Sequence, residues 1–150
     1  MSEQVNGGCQ CGRVRYRLEL GGEDAGDASF CHCRMCQRAT GGVAAALKQV
    51  RRDAVSWERE PDRYRSSPIA QRGFCSACGT PLTYEGDDSE NLDLTIGSFD
   101  DPYRFRLAAH GGVESRHDDW FARDDLPDTR TDQTGNIVAK WKEAGGSVPD

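Results

Sequence analysis

At 150 residues the chain has the length of one ordinary domain, enough to bury roughly 70% of the surface its unfolded form exposes. Its net charge of −6, with the arginines scattered among Asp and Glu, argues against nucleic acid or an anionic membrane surface as partner. No apolar run approaches the ~18–20 residues of a membrane span, and Met1-Ser-Glu-Gln lacks a basic-then-apolar signal, so the reducing cytoplasm is the expected location.

An apolar fraction of 36% with 17 glycines points to short strands and many turns. Val14-Arg-Tyr-Arg-Leu-Glu-Leu20 alternates without a break and predicts a half-buried strand. Gly21-Gly-Glu-Asp-Ala-Gly-Asp27 then reads as a flexible acidic loop. Residues 31–40 predict a loop leading into a short helical turn that Gly41-Gly42 closes. Further strands are predicted at 43–50, 54–58, 63–66, 69–74, 81–85 and 92–96, with a turn at 98–103. The segment 107–123 carries His110, His117, Trp120 and Phe121. Beyond Pro127 the chain is polar, apart from a weak helical stripe through Ile137, Val138 and Trp141. With no internal repeat and no linker, residues 1–150 read as one mainly β domain.

The chemistry lies in seven cysteines, grouped as Cys9-Gln-Cys11, Cys31-His-Cys-Arg-Met-Cys36 and Cys75-Ser-Ala-Cys78. Short-spaced thiols converge readily on one metal ion, and in a reducing compartment such a pattern reads as metal or redox chemistry. Cys9, Cys11, Cys75 and Cys78 form two pairs, each followed by a glycine, Gly12 or Gly79, that tolerates the left-handed backbone of a metal knuckle. Four thiolates at about 2.3 Å make a closed structural zinc site, whose binding energy would offset a lean core. A redox-active Cys75/Cys78 pair, or buried free thiols, are the other readings of these residues.

Cys31, Cys33 and Cys36 supply three corners of a tetrahedron without an obvious local fourth ligand. Zinc held by three thiolates is a modest Lewis acid, but it can take an incoming thiol as thiolate, so thiolate attack on an electrophile is the reaction class that follows. His32 could serve as fourth ligand or as acid/base, although its position between two ligands turns it away from the metal. His110 and His117 could close the site from a distance or simply make surface hydrogen bonds. Cys33 and Cys36 could instead act as a redox dithiol.

The strings Gly7-Gly-Cys-Gln-Cys-Gly-Arg-Val-Arg-Tyr16, Cys31-His-Cys-Arg-Met-Cys-Gln-Arg-Ala-Thr-Gly41 and Phe74-Cys-Ser-Ala-Cys-Gly-Thr-Pro-Leu82 closely resemble the glutathione-dependent formaldehyde-activating enzyme family, which includes centromere protein V. A fainter echo runs through His110, Glu114-Ser-Arg116, Trp120 and Asp125-Leu-Pro127, so the resemblance covers about residues 5–127 and leaves 128–150 as a C-terminal tail. The resemblance implies an Mss4-like β fold with two zinc ions per chain. It places structural zinc on Cys9, Cys11, Cys75 and Cys78, and catalytic zinc on Cys31, Cys33 and Cys36. It also implies condensation of glutathione, or another small thiol, with formaldehyde or a related electrophile, a carbon–sulfur lyase reaction run in reverse. Glutathione carries two carboxylates, for which Arg34 and Arg38 are the best-placed cations. Because sites change on a persistent fold, a non-catalytic zinc-stabilised domain that binds another protein is the alternative.

Overall fold

The computed structural model describes residues 2–22 and 27–148, so positions 23–26 of the predicted acidic loop lie outside the described residues. The chain divides into two compact units, one made of Met1–Ala28 with Leu47–Arg106 and the other of Ser29–Ala46 with Leu107–Asp150.

The first unit begins with β1 (Glu3–Gly8), which pairs antiparallel with β2 (Arg15–Leu20). β2 in turn pairs with β5 (Val55–Trp57), giving a three-stranded sheet in the order β1-β2-β5. The alternation expected of β2 is realised: Tyr16, Leu18 and Leu20 are buried while Arg17 and Glu19 face solvent. β4 (Ala45–Arg51) pairs through residues Leu47 to Arg51 with β9 (Asn91–Thr95). From β9 an antiparallel run continues through β8 (Pro81–Gly86) and β7 (Ala70–Phe74) to β6 (Asp62–Ser67). Leu92 and Leu94 are buried on β9, as their alternation predicts. With Val5, Val50 and Phe99 they join the β2 side chains in one apolar cluster, each large member contributing about 1.5–3 kcal/mol by its burial.

β1 escapes sequence reading because Gln4-Val-Asn-Gly-Gly8 neither alternates cleanly nor carries β-branched side chains beyond Val5. Its place is set by a close approach. A Cβ on Gly7 would fall 2.3 Å from the Tyr16 hydroxyl, which is hydrogen-bonded to Ser98 Oγ at 2.8 Å. The predicted turn at 98–103 is resolved into 3-10 turns at Ile96–Ser98 and Pro102–Arg104.

In the second unit β3 (Asp27–Cys31) neighbours β10 (Arg106–Gly111), which pairs in parallel with the two-residue β11 (Asp128–Thr129). Between β3 and β4 lies the helix α1 (Arg34–Thr40). Gly41 ends it at φ 73° with its N–H on Gln37 O, so the glycine closure read from the sequence is correct. The predicted C-terminal stripe forms α2 (Gly135–Glu143), with Trp141 buried and Ile137 half-buried, though Val138 is turned outward. Among the described residues no helix is long and apolar enough to cross a membrane.

Candidate functional site

Both cysteine groups assemble, each inside one unit. In the first unit the sulfurs of Cys9, Cys11, Cys75 and Cys78 lie within 4.8 Å of one another, with Cys9 and Cys11 at 3.5 Å and Cys11 and Cys75 at 3.8 Å. Four thiolates at about 2.3 Å from a tetrahedral zinc stand about 3.8 Å apart, so the donor set and its spacing fit that ion.

Local hydrogen bonding builds the two corners alike. Gly12 N donates to Cys9 O and Cys9 N to Val14 O; Gly79 N donates to Cys75 O and Cys75 N to Thr80 O. Gly12 and Gly79 have φ of 80° and 78°, the left-handed conformation expected of them. Val14 N also points at Cys9 Sγ, 3.3 Å away. Cys9, Val14, Cys75 and Leu82 form their own buried cluster with Trp57 against it, so the inner side of this site is apolar.

Those contacts preset the thiols. Burial pushes Cys9 up, but the Val14 amide and the Cys11 thiol outweigh it and leave Cys9 lowered. The Thr80 hydroxyl and amide hold Cys78 down at about 5. Cys11 moves the other way: the Arg13 amide favours its thiolate, yet the neighbouring Cys9 sulfur and burial bring it to about 11.

In the second unit the sulfurs of Cys31, Cys33 and Cys36 also lie within 4.8 Å of one another, the first two at 3.4 Å. Among the described residues this group stops at three. Cys33 caps α1, its sulfur accepting from Cys36 N at 3.4 Å. The bend before it is held by His32 N donating to Gly111 O at 2.8 Å. Gly112, at φ 63°, packs so closely that a Cβ there would fall 2.7 Å from Cys33 N. Hydrogen bonds to Cys33 and Cys36, together with burial, drive the Cys31 thiol far up. Cys33 is favoured as thiolate by Cys31 but pushed up by Cys36 and burial, to about 11. Three crowded sulfurs repel one another's charge, and a soft divalent cation relieves that repulsion, so the trio too fits zinc.

Arg34 and Arg38 are both exposed on α1. Arg34 Nη1 donates to Gln37 Oε1 at 2.5 Å, and Arg38 sits in the last turn. His32 is fully buried and its ring meets His110 rather than the sulfurs; His117 Nε2 lies 3.3 Å from Gln37 Oε1. Sequence reasoning missed Gln37, the knot of this region. Buried at 4% exposure, it donates to His32 O at 2.7 Å and Ser115 O at 2.9 Å, tying the cysteine bend to the turn Val113–Ser115. Its one visible signal was its place directly after Cys36, one turn beyond the cap residue.

A mainly β scaffold bearing a four-thiol and a three-thiol cluster, each able to hold a metal ion, defines a cysteine-rich domain with two candidate metal sites. The chain belongs to the glutathione-dependent formaldehyde-activating enzyme family, which it matches over residues 4–114, and its fold is therefore Mss4-like. It is similar to an uncharacterized lyase of Schizosaccharomyces pombe, 25% identical over 126 residues that cover 83% of this chain and 82% of the relative. A crystal structure of a Rhodobacter sphaeroides protein aligns over 83% of this chain and 100% of that one, with a TM-score of 0.54 at 23% identity, a likeness of fold alone.

Proposed function

We propose that the protein is a zinc-dependent carbon–sulfur lyase-type enzyme that condenses glutathione, or another small thiol, with formaldehyde or a related small electrophile. One observation carries the reading: Cys31, Cys33 and Cys36 converge on a single point, and among the described residues no fourth ligand joins them. The family match and the lyase name of the yeast relative support this reaction class. When bound there, zinc would supply the means to hold an incoming sulfur as thiolate at neutral pH.

The bond changes are simple. The sulfur forms a bond to the aldehyde carbon, the C=O π bond opens onto oxygen, and the proton lost by the thiol ends on that oxygen. The product is the hydroxymethyl sulfide, and no oxidant or reductant is consumed. Arg34 and Arg38, exposed on the helix that carries Cys36, are the proposed receivers of the two glutathione carboxylates. Gln37 orients Arg34 by accepting from its Nη1. Cys9, Cys11, Cys75 and Cys78 have the proposed role of a structural zinc site. A thiol substrate and seven reduced cysteines suit the cytoplasm, where we place the protein.

The direct test mixes the metal-loaded protein with glutathione and formaldehyde and follows adduct formation against the spontaneous rate. Acceleration that disappears in Cys31→Ser is the expected result. No acceleration with zinc fully loaded removes this reaction.

A further inference from the structure

One cation on the helix of the trio carries a charge that the protein itself leaves unanswered. Arg34 stands between Cys33 and Cys36 on α1, exposed to solvent, and its Nη1 donates to Gln37 Oε1 at 2.5 Å. His117, also exposed, lies with Nε2 3.3 Å from the same oxygen. Among the described residues neither side chain makes an ion pair, whereas Arg116, next to His117, is held by Asp118 and Asp128. The main chain keeps His117 in place. Trp120 N donates to its carbonyl at 3.0 Å, and two residues earlier Ser115 O accepts from Gln37 Nε2 at 2.9 Å.

Donor and acceptor rules fix what this pair presents. Gln37 Nε2 sits between two carbonyls, His32 O at 2.7 Å and Ser115 O, so that atom is the amide nitrogen and Oε1 is the acceptor for both neighbours. The proton between Gln37 and His117 therefore rides on His117 Nε2, and in the neutral imidazole Nδ1 is a bare acceptor. An ammonium can donate to it. Arg34 has used one N–H on Gln37 and keeps others for a carboxylate. Two groups bound to one oxygen are neighbours. A cation and a hydrogen-bond acceptor thus stand side by side, open to solvent, on the helix that carries Cys36. The chemistry complementary to them is a carboxylate and an ammonium on one carbon, the head of an α-amino acid.

We infer that Gln37 seats Arg34 and His117 together as the receiver of a zwitterionic α-amino-acid head, its carboxylate on the Arg34 guanidinium and its ammonium on His117 Nδ1. That this head belongs to the thiol held at the trio rests on the reaction proposed above; the pairing of the two side chains does not. In glutathione the head is that of the γ-glutamyl residue, which leaves the glycine carboxylate to Arg38. Simple alkyl thiols carry no such head, so the pair selects amino-acid thiols. A site built for polar groups rejects an analogue lacking one far more strongly than an apolar pocket rejects a missing methylene. Arg34 and His117 set specificity away from the reacting atoms, and Gln37 is the positioning residue.

The probe is γ-glutamyl-alanyl-glycine, which lacks sulfur and so binds without reacting. Calorimetry on zinc-loaded protein compares it with two truncations: the glutaryl analogue, which lacks the ammonium, and the γ-aminobutyryl analogue, which lacks the carboxylate. Each truncation is expected to bind the wild type about tenfold more weakly than the full probe. In His117→Ala the full and glutaryl probes are expected to bind alike. In Arg34→Gln the full and γ-aminobutyryl probes are expected to bind alike, and each variant keeps its discrimination at the other group. No binding of the full probe by the wild type, no preference over either truncation, or a preference that survives the matching variant each overturn the inference. The wild-type ratios decide even where a variant folds poorly. Turnover of glutathione with formaldehyde without this selectivity would remove the inference and leave the reaction standing; selectivity without turnover would remove the reaction and leave the receiver standing.

Discussion

Cys75 is fully buried among Val14 and Leu82, and with its neighbour Cys78 it meets Cys9 and Cys11 from the far end of a long stretch of chain, whereas Cys31, Cys33 and Cys36 come from one six-residue segment at the start of a short helix. A metal on the first set cross-links the β1–β2 hairpin to the β7–β8 hairpin and closes a long loop. A metal on the second would close almost none, so on the proposed reading its binding energy would go to chemistry more than to folding. The supports differ in the same sense. The four-thiol site is shaped by paired backbone turns, while the trio leans on Gly112, Gln37 and His32. On the proposed reading, identical ligand chemistry would serve architecture in one place and reactivity in the other.

The sharpest way to break this contrast is to remove one sulfur from each site. Cys75→Ser leaves a buried hydroxyl in an apolar pocket and opens the cross-link, and is expected to cost on the order of 4 kcal/mol or more, read as loss of a cooperative thermal transition. Cys31→Ser is expected to lower stability by no more than about 2 kcal/mol while abolishing thiol–aldehyde turnover. Equal losses of stability would erase the distinction.

Acid should separate the sites next. In the four-thiol site Cys9 and Cys78 sit below the ordinary thiol range and only Cys11 is shown above it, whereas in the trio Cys31 and Cys33 both sit above it. Metal must displace a proton from each raised thiol, and each such proton lowers apparent affinity about tenfold per unit fall in pH. Acidifying from about pH 8 to about pH 6 is therefore expected to release the metal of the trio first. Zinc per chain, measured after buffer exchange at each pH, checks the order.

Gln37→Ala tests the scaffold around the trio. It leaves the carbonyls of His32 and Ser115 without their donor, an expected loss of about 2 kcal/mol in denaturant unfolding, together with release of Arg34 and a raised KM for glutathione. Gly112→Ala acts on the trio alone. Its left-handed backbone position costs about 1–2 kcal/mol, and its methyl group, 2.7 Å from Cys33 N, also forces that backbone to shift, so metal retention at the trio falls while the four-thiol site keeps its ion.

Much of this was legible in the chain. Alternation named β2 and β9 because one face of each packs on a single apolar cluster, and the glycines after Cys11 and Cys78 do adopt the positive φ their place suggested. All seven sulfurs fall into the two groups their spacing implied. What stayed hidden depends on partners far away in sequence. β1 is defined by its register with β2 and by the Tyr16 ring over Gly7. His110 and Gln37 gain their meaning only when His32 and Ser115, each about 78 residues from its partner, are brought beside them. A single histidine or glutamine carries no periodicity that could announce such a meeting.

The measurement that bears most directly on the two-site account is zinc X-ray absorption on the fully loaded protein, with and without glutathione, alongside metal analysis. Two zinc ions per chain are expected, with the average sulfur coordination rising on addition of glutathione as the trio gains a fourth sulfur and the closed site stays unchanged. One zinc per chain, or a sulfur count that glutathione leaves untouched, would contradict an open three-thiolate centre.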